Sequence, residues 1–140
     1  MLFRSYSDAI SLYRSQLEVE PKHLSAYKGL ALACLAGGYE TEFLSAMRKL
    51  DESSEATDNI RLDIYFQTQL AFLNLKMGRL TEARQAAEAA LVIEPRYAWA
   101  RIAAAEVEMA EGRYFEAERN LLAAQQYASF PTLAFTLGKL

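Results

Sequence analysis

The stretch RLTEARQAAEAALVIEPRY, residues 79–97, decides the fold. Its apolar and small residues Leu80, Ala83, Ala87, Ala90 and Leu91 recur at helical spacing, so they share one face of a short helix. Met77-Gly78 supplies a turn before it, and Glu94-Pro95 stops it, because proline cannot continue the backbone hydrogen-bond ladder. Alanine dominates the packing face, and alanines let two helices approach closely.

Working outward, the same grammar covers the chain. Tyr6, Ala9, Ile10, Tyr13 and Leu17 mark a helix that ends before Pro21. A second helix is predicted from His23 to Ala36, closed by Gly37-Gly38, and a third from a Thr41 cap to about Leu50. The polar, acidic DESSEATD of residues 51–58 interrupts the pattern. Beyond it, Thr57 or Asp58 is positioned to cap a long helix over Asn59–Met77. Thr81 opens the central helix, and further helices are predicted over Arg96–Ala110 and Tyr114–Gln126, with a partial one from Pro131. Strand alternation is absent. The expectation is all-α, about seven helices and no sheet.

Subtracting positions exposes an internal repeat. Ala71 and Ala105, Gly78 and Gly112, Ala83 and Ala117, and Ala90 and Ala124 share one offset, about 34 in sequence number. Leu30 and Leu70, Ala31 and Ala71, Leu35 and Leu75, Gly38 and Gly78, and Glu42 and Glu82 share a longer one, about 40. Ala9 and Ala83, Leu17 and Leu91, and Pro21 and Pro95 are separated by both offsets together. The shorter offset is therefore the repeat unit, lengthened once by six at or beside DESSEATD. The repeat frame is a half unit at 1–22, units at about 23–56, 63–96 and 97–130, and a partial helix at 131–140, all in one domain. Both ends fall inside a unit, so the chain is expected to be part of a longer protein.

This pattern resembles the tetratricopeptide repeat family, a helix–turn–helix of about 34 residues with small residues at the helix crossing and a closing proline. Leu30-Ala31 and Leu70-Ala71, the turn glycines 38, 78 and 112, Ala9, Ala83 and Ala117, and Pro21 and Pro95 carry the resemblance. It departs at Gln67 and Arg101, where the family often has a large aromatic, and at Phe43, which replaces the small residue of the second helix. The resemblance implies a right-handed α–α superhelix, a solenoid whose first helices line a concave side. In the family that side grips an extended peptide or a partner helix. By register the lining includes Ser25, Lys28, Leu32, Leu35, Tyr65, Thr68, Phe72, Leu75, Lys76, Trp99, Ile102, Glu106 and Met109.

Bulk properties narrow the function. The chain has 140 residues, a net charge of −3, and 52% hydrophobic against 24% charged residues, which is a globular composition. Segment 1–58 carries six Lys/Arg and nine Asp/Glu, and 59–140 carries nine of each, so neither offers a basic footprint for nucleic acid. Helical-repeat RNA binding is disfavoured on that ground. No apolar run approaches the roughly 20 residues of a membrane helix, and MLFRSYSDAI lacks a signal-peptide core. Membrane insertion is not expected, and the single cysteine fits a cytoplasmic setting.

Candidate chemistry is sparse. His23, the only histidine, reads as a surface or capping residue, because nothing in the sequence fixes an acid or nucleophile beside it. Cys34 reads as a small buried hydrophobe rather than a reactive thiol. Glu106, Glu108 and Glu111 read as a solvated acidic face, since calcium wants six or more oxygens. Arg79, Arg84, Arg113 and Arg119 alternate with Glu82, Glu88, Glu116 and Glu118, as on exposed helix faces with local ion pairs. No phosphate-binding glycine loop or serine–histidine–acid signature occurs, so catalysis, metal and cofactor are not expected.

The residues singled out for binding are Lys28, Leu32, Tyr65, Phe72, Lys76, Trp99, Ile102, Glu106 and Met109. One variant of the family that the chain resembles grips a peptide's terminal carboxylate with basic and polar groups on the first helices. Only Lys28 stands at a matching place here, so an apolar peptide or amphipathic helix is the better guest. The expectation is a non-catalytic protein-interaction scaffold. Its competitor is a regulatory or substrate-docking module of a larger enzyme or assembly complex. Exposed solenoid ends leave room for self-association.

Overall fold

The computed structural model describes residues 5–52 and 63–127. Among them are seven α-helices and no strand: α1 Tyr6–Val19, α2 Leu24–Gly37, α3 Glu40–Glu52, α4 Ile64–Lys76, α5 Leu80–Ile93, α6 Ala98–Ala110 and α7 Tyr114–Tyr127. The chain divides into two compact units, Met1–Arg61 and Leu62–Leu140, so the division falls just past the acidic insert. In the first unit α2 packs on both α1 and α3. In the second, α4–α5 and α6–α7 form helical hairpins, while α6 also packs on α4 and α5.

The repeat seen in the sequence is present in the backbone at its turns. Gly38, Gly78 and Gly112 have φ of 80°, 78° and 78°, the left-handed conformation that only glycine adopts cheaply. In each turn the next residue's N–H donates five residues back: Tyr39 to Cys34 O, Arg79 to Asn74 O and Arg113 to Glu108 O, all at 2.8 Å. The glycine N–H itself donates to Leu35, Leu75 or Met109 O at 3.1–3.2 Å. These bonds satisfy carbonyls that a helix end otherwise leaves without a partner.

Helix starts follow the repeat as well. His23, Asp63 and Tyr97 occupy equivalent positions and are the N-caps of α2, α4 and α6. The His23 Nδ1 accepts from the Ala26 N–H at 3.1 Å, bearing out a capping histidine. Asp63 Oδ1 accepts from the Phe66 N–H at 2.9 Å, a bond typically worth about 1 kcal/mol. The expected helix over Asn59–Met77 is therefore corrected: α4 starts at Ile64, behind the Asp63 cap. Thr57, Asp58, Asn59 and the helix from Pro131 lie outside the described residues. Thr41 falls inside α3, which begins at Glu40, and α5 begins one residue before Thr81.

The cores follow the small residues. Ala31, Ala71 and Ala105 on first helices, and Ala83 and Ala117 on second helices, are wholly buried. Their lack of bulk favours helix axes at the short end of the usual range of about 8–10 Å. In the second unit Ala98, Ile102, Ala105, Ala117, Leu121 and Ala124 form one cluster, with Phe72 and Met109 packed against it. The first unit fills the equivalent crossing with the buried ring of Phe43. There Gly29 leaves the space that the Tyr13 ring occupies, so any larger side chain at 29 meets that ring.

Candidate functional site: an aromatic concavity on α4 and α6

Two kinds of surface flank α6. On one side Tyr65, Thr68, Gln69 and Phe72 of α4 meet Tyr97 and Trp99 at the start of α6. They line a concavity of about 400 Å³. Phe72 and Trp99 stand edge to face, with centroids 6.3 Å apart and planes at 79°, so the two rings make adjoining walls nearly at a right angle. Phe72 is half-buried and anchored on the core cluster, which fixes its ring. Tyr65 and Trp99 are 62% and 37% exposed, a large apolar area left in water. Thr68 is buried, and its hydroxyl donates to Ile64 O at 2.7 Å, so it offers the concavity little polarity.

Tyr97 owes its place to the cap position. The equivalent His23 and Asp63 turn inward to accept a backbone N–H. Tyr97 makes no side-chain capping bond and is one of the residues that line the concavity. The sequence reading passed over it. The signal was available, since Tyr97 stands one repeat unit after Asp63 and a phenol ring is too long and rigid to cap its own helix.

Of the residues singled out from sequence, the structure gathers Tyr65, Phe72 and Trp99 here. Lys76 is exposed at the last position of α4, and Glu106 and Met109 are half-buried further along α6. Ile102 is corrected: it is 0% exposed, inside the cluster with Leu121, and cannot touch a guest. Leu35 is likewise buried. Lys28 and Leu32 are half-buried on α2 of the first unit and are not among the residues that line this concavity.

The other flank is charged. Two adjoining clefts of about 250 and 260 Å³ share Arg101, Glu108 and Asn120. Arg101 donates to Pro95 O at 2.9 Å and to Asn120 Oδ1 at 3.0 Å, and Asn120 Nδ2 donates to a Glu108 carboxylate oxygen. Arg84 pairs with Glu111, which also lies 3.8 Å from Arg113. Arg101, Asn120 and Glu108 already engage one another, while Arg84 Nε and Glu111 Oε1 are buried without a hydrogen-bond partner among the described residues. The aromatic flank is taken as the candidate because its rings leave apolar area in water.

Cys34 is buried, and burial pushes its thiol above the usual value, outweighing the neighbouring Arg14, which acts in the opposite sense. That matches the reading as a small inert hydrophobe. Among the described residues no three His, Cys, Asp or Glu side chains are placed to share a metal ion, and no helix is long and apolar enough to cross a membrane. No family model matches this chain, and neither does any curated protein.

Proposed function

We propose that this chain is a tetratricopeptide-like solenoid that binds a protein or peptide partner without catalysis. The aromatic concavity on α4 and α6 is its recognition surface. One observation carries the reading: Tyr65, Phe72, Tyr97 and Trp99 converge on one concave surface. Aromatic side chains left partly in water are characteristic anchors of interfaces, where a few such rings dominate the binding energy. The glycine turn that recurs in every unit supports the solenoid part of the proposal.

The test is affinity capture from lysate by the full chain and by a Tyr65→Glu variant, with retained proteins identified by mass spectrometry. Tyr65 suits the purpose better than Phe72, because Phe72 packs on the core and a charge there threatens the fold. Circular dichroism must show equal helicity in both. A partner held by the parent and lost by Tyr65→Glu supports the reading. Equal retention by both places binding elsewhere and ends it.

A further inference from the structure

Resting on that reading, we propose that the concavity takes one methylated lysine side chain, presented on an extended peptide. Three observations point to this guest.

The first is ring geometry. An alkylated ammonium is attracted to the electron-rich faces of aromatic rings, and best when several rings surround it. Phe72 and Trp99 supply two walls at 79°, and Tyr65 and Tyr97 extend the enclosure from α4 and from the cap of α6.

The second is charge. None of the described residues lining the concavity is charged. An unmodified ammonium would surrender its tightly held water without gaining a carboxylate. A methylated one holds water weakly and presents apolar methyl groups to the rings, so it gives up less on entry. Lys76, one turn beyond Phe72 on α4, is exposed and does not line the concavity, and Arg101 is the sole cation of α6. It is held on the opposite flank by Pro95 O and Asn120.

The third is size. Tyr65 and Phe72 lie two turns apart on α4, about 10 Å along its axis. About 400 Å³ accommodates one long side chain and the backbone that presents it. An amphipathic helix asks for anchors along several turns.

Trp99 is the chain's only tryptophan, so its fluorescence reports on the site directly. The experiment titrates the full chain with a short glycine-flanked peptide carrying trimethyl-lysine. Parallel titrations use the same peptide with unmodified lysine, with the uncharged tert-butyl isostere, and free choline. The expected result is a saturable change with trimethyl-lysine, about tenfold tighter than with the uncharged isostere. Tyr65→Leu should weaken it about fivefold with an unchanged circular dichroism spectrum, and Phe72→Leu serves as a second variant.

Equal affinity for the isostere overturns the cationic guest while leaving an apolar peptide groove intact. Unmodified lysine binding as tightly as trimethyl-lysine overturns the requirement for methylation. Choline matching the peptide overturns the peptide as the source of the ammonium. Absence of a saturable response to any probe overturns the inference altogether, and the capture experiment then decides the groove reading by itself.

Discussion

The two flanks of α6 differ in what their side chains do for one another. On the Arg101 flank, guanidinium, amide and carboxylate groups form a chain from Pro95 O through Asn120 to Glu108, with the Arg84–Glu111 pair beside it. On the Trp99 flank, rings meet edge to face but leave much of their area in water. The first arrangement ties α5, α6 and α7 together. The second leaves free energy of burial that a partner is able to collect. On the proposed reading, stability and recognition fall on opposite sides of one helix.

That division makes graded predictions. The cluster beneath both flanks comes first: Leu121→Ala removes a wholly buried side chain and is expected to cost about 2–5 kcal/mol, with loss of any guest, in urea unfolding followed by circular dichroism. A neutral result there would break the comparison, since the flanks would then share no support. Next is Glu111→Ala on the charged flank. Glu111 is 13% exposed at the side chain, and its loss leaves Arg84 without this partner. About 1–3 kcal/mol of destabilisation is expected, with guest binding unchanged once the protein is folded. A change in binding affinity for that variant would show the two flanks to be coupled. Smallest is the effect of Tyr65→Leu on stability, within about 0.5 kcal/mol because the side chain is 62% exposed. A loss well above that would make Tyr65 a structural residue and weaken the assignment of recognition to its flank.

Sequence legibility followed the same physical lines. The two constant offsets between like residues located all three glycine turns, because a positive φ demands glycine wherever it recurs. They also contained the start of α4. Asp58 and Asp63 are both plausible caps by composition, but only Asp63 is in register with His23, and that is where the helix begins. Ile102 was misplaced for a different reason. It lies one turn from Trp99, on the edge of the same stripe, and a helical wheel does not say which neighbour claims an edge position. Leu121 of α7 claims it, and Ile102 is buried. Tyr97 was missed because a capping position is normally read for its hydrogen bond and not for its ring.

The three glycine turns have a consequence for how the chain can change. Equivalent residues enter and leave each turn with the same two backbone bonds, so Gly78 and Gly112 are interchangeable seams. A crossover between them would delete or duplicate one whole repeat unit and hand the next helix on in the correct orientation. Growth and shrinkage by recombination are thus built into the joints.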